Sequence, residues 1–324
     1  MRISDLGNRT SKQVLQIRNP KSQLILMSTT TANVSLFDDE FLKKLEYLNI
    51  ISKRLFAGQL RAERRTRKRG TGLEFADYRA YVAGDDFRHL DWKAYLRLNR
   101  LILKLFEEEE DLPIYFFVDS SQSMNYGNPT KLDYTRRVAA ALCYIGLANL
   151  DRVNVISFAD GVKGELPPQR GKGRIFKIFR FLTDIVASGE TNAKESFKTY
   201  CTEKRRRGLA VVISDYFDQH GFESALDILR HFRHDIFVIH IASHEEIDPP
   251  LKGELVLVDS ESQVSREITI TPSLLSAYRA EFLRYCEAIE SYCGKYQLGY
   301  VRTATDFPFE ELVLKVFRQG RFLK

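Results

Sequence analysis

Asp119, Ser121 and Ser123 stand at every second position where the apolar run "IYFFVD" ends. Alternate residues of an extended chain face the same way, so one carboxylate and two hydroxyls can point at a common centre. A second apolar run, "LAVVISD", ends in Asp215, and Thr191 lies in the stretch "SGETNAKESF" between the two runs. Asp and Ser also start turns and cap helices, so the pattern alone leaves a plain structural reading open. As chemistry, the five side chains are hard oxygen donors of the kind that Mg²⁺ or Mn²⁺ accepts while keeping some of its waters. Two carboxylates with neutral hydroxyls leave such an ion electron-poor. That state favours capture of an added carboxylate from a partner.

For these donors to meet, the runs that carry them must be neighbouring strands. From residue 112 onward the chain alternates apolar runs with helical patterns, and runs that are apolar almost continuously belong in a parallel sheet covered on both faces. The expected fold class is therefore α/β, a doubly wound, mostly parallel sheet of Rossmann-like topology. In such sheets ligands gather at the carboxyl ends of the strands, where loops and helix N-termini converge. The segments "LKGELVLVDS" and "REITIT" predict a β-hairpin insertion, and "PSLLSAYRAEFLRYCEAIESYCGKYQ" predicts a long helix with Pro272 near its start. Upstream, Phe41, Leu45, Leu48, Ile51 and Leu55 recur at helical spacing, with Asp38 or Asp39 placed to cap. The organisation expected is a flexible tail over 1–36, a helical and irregular N-terminal segment over 37–111 packed on the main domain, and an α/β domain over 112–324.

At this point the chain resembles a family of bacterial proteins of unknown function, domain-of-unknown-function 58, whose C-terminal half is a von Willebrand factor A-like domain. Such domains carry a metal-ion-dependent adhesion site of pattern D-x-S-x-S, then a Thr, then an Asp. Asp119, Ser121, Ser123, Thr191 and Asp215 match it in order. A second stretch of the family pattern is "GTGLEFADYRAYVAGDDFRHLDWKAYLR", which places Glu74, Arg79, Gly84, Asp85, Arg88, Asp91 and Trp92. The resemblance covers residues 37–324. It departs from the better-known adhesion domains at "ISDYF", where they have T-D-G. What it implies is a non-catalytic, Mg²⁺- or Mn²⁺-dependent protein-interaction adaptor that grips an acidic side chain of a client and works with a MoxR-type AAA+ ATPase in the assembly or maturation of other proteins.

Composition sets further bounds. The 324 residues are 44% hydrophobic and 28% charged, with a net charge of +6 and no apolar run of the roughly 18 to 20 residues that span a bilayer. The N-terminal stretch has no apolar core of signal-peptide length, so a cytoplasmic location is expected. Cys143, Cys201, Cys286 and Cys293 form no CxxC pair and read as reduced core thiols. His231 and His234 flank a helix end and read as surface or capping residues. Two charge blocks stand out: "RAERRTRKRG", with Arg64, Arg65 and Arg67, and "EEEED" at 107–111. Each is a solvated face or a salt-sensitive docking surface, and the three arginines are the candidate partner-binding residues. The basic stretch 53–69 also opens a nucleic-acid-binding alternative, against which stand the modest net charge and the lack of a reading module. A second alternative, a metal-dependent phosphohydrolase, needs an acid two residues after Asp119, where Ser121 stands. There is no G-x-S-x-G elbow, P-loop or HExxH. Glu190, beside Thr191, is the acid nearest the donors in sequence. Within the stretch 70–97, Trp92, Phe75, Tyr78 and Tyr81 read as packing residues, and Arg79, Arg88, Asp85 and Asp91 as ion pairs that lock it onto the α/β domain.

Overall fold

The protein is described by a computed structural model over residues 15–18, 36–56, 69–70, 74–107, 113–203, 206–218, 221–259 and 265–318. In chain order its strands are β1 (Leu15–Arg18), β2 (Arg69–Gly70), β3 (Glu74–Ala80), β4 (Ile102–Glu107), β5 (Ile114–Asp119), β6 (Val153–Phe158), β7 (Val162–Gln169), β8 (Leu209–Ser214), β9 (Asp235–Ala242), β10 (Gly253–Asp259), β11 (Ser265–Ile270) and β12 (Gly299–Ala304). Its α-helices are α1 (Asp39–Phe56), α2 (Trp92–Leu98), α3 (Lys131–Ala148), α4 (Ile175–Asp184), α5 (Ala193–Thr202), α6 (Phe222–His231), α7 (His244–Ile247), α8 (Pro272–Lys295) and α9 (Phe309–Arg318). Two compact units result, divided between Ser52 and Lys53 and again between Asp111 and Leu112.

In the first unit, β5, β6, β8, β9 and β12 pair in parallel, β7 pairs antiparallel with β6, and the order is β12-β9-β8-β5-β6-β7. This is the 3-2-1-4-5-6 order of a doubly wound sheet. The parallel strands read as unbroken apolar runs because both their faces are covered; every residue of β5 and β6 is buried. On one face Tyr115, Phe117, Ile156 and Phe158 pack with Phe197 and Tyr200 of α5, Phe222 and Leu226 of α6, and Ile289 and Cys293 of α8. The edge strand β7 runs further than the short hairpin-like piece its sequence suggests and includes Pro167 and Pro168. An edge has one side with no ladder to donate to, and so tolerates prolines. The hairpin insertion forms as expected from β10 and β11. The long helix also forms, with Thr271 as its N-cap and Pro272 in its first turn. All four cysteines are free and buried.

Two expectations change at the N-terminal side. Leu15–Arg18, placed by the sequence reading in a flexible tail, pairs as β1 with Val256–Asp259 of β10. The remainder of that tail up to residue 35 lies outside the described residues. Helix α1, grouped by sequence with the segment 37–111, belongs up to Ser52 to the first unit. The reason is its apolar stripe: Phe41, Leu45 and Leu48 are buried, and the Phe41 ring meets Phe309 of α9 at 5.1 Å and Phe179 of α4 at 6.1 Å.

The second unit is an antiparallel sheet of order β2-β4-β3, with α2 between β3 and β4 in the sequence. Asp91 caps α2 by accepting from the Lys93 and Ala94 amides at 3.0 and 3.1 Å, and Asn99 ends the helix in the left-handed region at φ 50°. Arg79 and Asp85 pair at 2.7 Å as expected. Arg88, however, pairs with neither Asp85 nor Asp91 but with Asp86 at 2.7 Å, and Asp91 takes Lys104 at 3.2 Å. These are pairs within the unit. Trp92 and Tyr78, read as packing residues, are 60% and 50% exposed. Helical and strand periodicity is too short here to say which face is covered.

Candidate metal centre

The sheet order reverses between β5 and β8, which makes their shared carboxyl end the switch point where doubly wound folds bind ligands. Asp119 is the last residue of β5, and Asp215 directly follows β8. Both side chains are fully buried. Asp119 accepts from the Ser121 amide at 2.9 Å and from the Ser214 hydroxyl at 2.6 Å. The Ser121 and Ser123 hydroxyls lie 2.9 Å apart. Ser121 also bonds Asp119, and Ser123 bonds Asp215. The two serine hydroxyls therefore stand between the two aspartates, and with both carboxyls ionised their two protons serve two of the three contacts Asp119–Ser121, Ser121–Ser123 and Ser123–Asp215.

The loop carrying Thr191 is stitched to the same rim by its backbone. The Ser188 amide donates to Ser120 at 2.8 Å, Gln122 donates to Gly189 at 3.0 Å, and Asn192 donates to Ala159 at 2.7 Å. The Ala193 amide at the start of α5 donates to Asp218 at 2.9 Å, joining this loop to the one after β8. Thr191 itself is buried and lines a small cavity with Ser214, Tyr216 and Asp218. The structure thus brings Asp119, Ser121, Ser123 and Asp215 into one bonded network and sets Thr191 beside it. The basic run with Arg64, Arg65 and Arg67 lies outside the described residues.

The departure at "ISDYF" has a structural consequence. Tyr216, which stands where the adhesion domains have Gly, adopts φ +60°. That region costs a bulky side chain of order 1 to 3 kcal/mol and persists only where the surroundings hold it there. Here the Tyr216 amide donates to Ser214 Oγ at 2.9 Å, its hydroxyl donates to the Val212 carbonyl at 3.0 Å, and Tyr285 donates to its carbonyl.

Three groups that the motif did not announce shape the electrostatics. Lys131, the first residue of α3, is fully buried, and its ammonium donates to Asp215 at 2.7 Å and Glu246 at 2.5 Å. Glu246 completes a capping box at α7: its Oε2 accepts from the Ser243 amide at 2.9 Å while its own amide donates to Ser243 Oγ at 3.1 Å. Gly127, at φ +93°, lets the loop before α3 pass so close that a Cβ there would sit 2.7 Å from Ser243 Cβ. His240 is buried near Asp215 and Lys131. The Ser243-x-x-Glu246 spacing was readable as a helix start. Nothing in "PTKLDY" marks Lys131 as buried.

Burial raises the Asp119 carboxyl, and the nearby Asp215 charge raises it further, to about 6. Burial would also raise Asp215, but the Lys131 ammonium and its hydrogen bond hold it below the ordinary carboxylate value. Burial alone would lower Lys131; Asp215 and Glu246 outweigh it and keep the amine charged. Burial takes His240 down to about 3, so it is neutral. Burial raises Glu246 as well, against the pull of Lys131. With Asp119 and Glu246 ionised, three buried carboxylates are offset by one ammonium, which touches Asp215 and Glu246, leaving two negative charges that a single dication would neutralise. The donors fit a hard dication by chemistry as well as charge, since they are oxygen atoms only. Among the described residues no three His, Cys, Asp or Glu side chains converge as a metal cage, so hydroxyls and water would complete any coordination.

Solved structures similar to this chain at low level include the following two. BatB from Bacteroides thetaiotaomicron is 14% identical, with a TM-score of 0.41 over 64% of this chain and 98% of that one. The manganese-loaded TRAP protein of Plasmodium vivax is 17% identical, with a TM-score of 0.32 over 40% of this chain and 57% of that one. Among curated proteins, an uncharacterized protein of Mycobacterium tuberculosis is 25% identical over 259 residues, covering 76% of this chain and 81% of its own length. A stretch of 88 residues is 33% identical to an uncharacterized protein of Mycobacterium avium, covering 25% of this chain and 52% of that protein. Residues 77–288, which include Asp119, Thr191, Asp215 and the second-unit stretch around Asp91, match the family described as "Protein of unknown function DUF58", and the chain belongs to it.

Proposed function

We propose that the protein is a non-catalytic interaction adaptor whose α/β domain binds Mg²⁺ or Mn²⁺ through Asp119, Ser121, Ser123, Asp215 and Thr191 and uses the ion to capture an acidic side chain of a protein partner. The observation that carries this reading is the placement of both serine hydroxyls, 2.9 Å apart, between the buried Asp119 and Asp215 carboxyls at the switch point of the sheet. When bound, the ion supplies a Lewis-acidic position for an incoming carboxylate. The protein's own part is to hold the oxygen donors on three backbone-stitched loops and to keep Asp215 ionised. A hydrolytic role finds less support, because Ser121 occupies the place of a general acid and the side chain of Glu190 is exposed to solvent. Among the described residues no helix is long and apolar enough to cross a membrane.

The partner proposed from the family resemblance is a MoxR-type AAA+ ATPase, with the run that holds Arg64, Arg65 and Arg67 as an acidic-surface docking site. A pull-down from the cognate bacterial extract, with Mg²⁺ or with EDTA, tests both halves. Wild type should retain partner only with Mg²⁺, and Asp119→Asn should retain none. Reversing Arg64, Arg65 and Arg67 to Glu should leave metal binding intact while weakening capture most at low salt. Equal retention by wild type in EDTA would remove the metal from the account, and retention by the triple reversal at the wild-type level would return the arginines to a solvated face.

A further inference from the structure

Lys131 occupies a place that physical chemistry disfavours three times over. Its ammonium is fully buried, which strips its hydration. It stands at the first position of an 18-residue helix, where the helix dipole repels cations. It also competes for Asp215, one of the two carboxylates available to an ion. What offsets these costs is a pair of carboxylates, Asp215 at 2.7 Å and Glu246 at 2.5 Å, with the Phe217 ring 5.5 Å away. The surroundings hold the amine there. Thr130 caps the helix by accepting from Asp133, the Lys131 amide donates to Tyr126, and Glu246 is fixed by its capping box and by Tyr278, whose hydroxyl donates to the Glu246 carbonyl.

We infer that Lys131 is a tethered counter-cation of the metal site: it neutralises Asp215 when no ion is bound, shares that carboxylate with an incoming dication, and so sets the site's affinity low. The inference rests on the metal reading above but names a residue that the D-x-S-x-S pattern does not contain. Asp215 and Glu246 bracket the amine from two different elements, so an ion that draws on Asp215 leaves Lys131 to Glu246. At a pH where all three carboxyls are ionised, the charge that an arriving dication meets is then two negative charges with Lys131 present and three without it. Removing the lysine should tighten ion binding, opposite to the effect of removing a ligand.

The test is a calorimetric Mn²⁺ titration of the full-length wild type, Lys131→Met, Asp119→Asn and the double variant. Lys131→Met should melt at lower temperature in EDTA and bind Mn²⁺ about tenfold more tightly or better, by the Coulomb gain of removing a neighbouring positive charge. Asp119→Asn and the double variant should bind none. Mn²⁺ bound by wild type but equally or less tightly by Lys131→Met overturns the tethered-cation inference and leaves the metal site standing. Mn²⁺ bound equally by wild type and Asp119→Asn overturns the metal site itself, and no binding by any protein overturns both. Should Lys131→Met fail to fold, the wild type still decides. Its buried ammonium gives a solvent-protected ¹H–¹⁵N signal, which must move on saturation with Mg²⁺; a signal unmoved by Mg²⁺ that is shown to bind overturns the inference.

Discussion

Asp215→Ala should lower the stability of the metal-free protein by about 3 to 5 kcal/mol, the usual cost of breaking a buried ion pair, because it leaves the Lys131 ammonium with Glu246 alone. Asp119→Asn should have the opposite sign. Asp119 is buried beside Asp215 and its carboxyl is pushed up to about 6, so its ionised form is the strained one. A carboxyl with a raised folded-state pKa contributes most below its unfolded value and loses that contribution as pH rises through 6. For a rise of this size the loss is about 3 kcal/mol. In EDTA, wild type should therefore lose stability between pH 4 and pH 7, and Asp119→Asn should match it at pH 4 and exceed it at pH 7. Urea unfolding of the three proteins at both pH values reads all of this. Equal stability losses for the two substitutions would mean that the carboxylates sit in equivalent environments, against the geometry. A practical corollary follows for metal studies: Asp119→Asn is the variant that removes a donor without stranding Lys131.

The second large effect is expected far from the site, at the opposite end of the same strands. Gly208 precedes β8 where the chain runs against Pro113 before β5; a Cβ on Gly208 would lie 2.1 Å from the Pro113 carbonyl oxygen. That oxygen accepts the Leu209 amide at 3.0 Å, and the Gly208 carbonyl accepts Asp235 at 3.0 Å, so neither backbone can step aside without breaking pairing between β5, β8 and β9. Gly208→Ala should cost about 3 kcal/mol, at the upper end of overpacking losses, and Gly208→Val should cost more. Because the strands remain in register once folded, Gly208→Ala at 10 °C should bind Mn²⁺ as wild type does. A melting temperature within a degree of wild type would show that the approach is not as close as described.

How much of this was legible in the sequence depended on whether a residue's role was announced by its neighbours. Strands β5 and β8 declare themselves as unbroken apolar runs, and their terminal aspartates sit where such strands place ligands. The long helix α8 was readable from Thr271, Pro272 and its apolar spacing. Lys131 was not, because a lysine beside a helix cap reads as solvated, and its burial depends on Glu246, 115 residues away in the chain. Ser214 was hidden for a similar reason: as the last residue of β8 it looked like part of an apolar strand, yet its hydroxyl holds Asp119. The sequence predicts a surface or capping role for His234 from its place after α6. It is buried instead, edge-on to the Tyr115 ring at 5.3 Å, while His231 is exposed as expected. Trp92 and Tyr78 differ in the other direction: aromatic residues are usually covered, and here half or more of each is exposed, on a unit of three short strands and one two-turn helix.

The most direct test of the metal centre is the anomalous difference density from a crystal of the full chain soaked in Mn²⁺. A single peak bounded by the Asp119 carboxylate, the Ser121 and Ser123 hydroxyls and the Asp215 side is expected, with the Lys131 ammonium turned toward Glu246. Mn²⁺ density absent from that position at saturating metal, or present only on surface carboxylates, would contradict it.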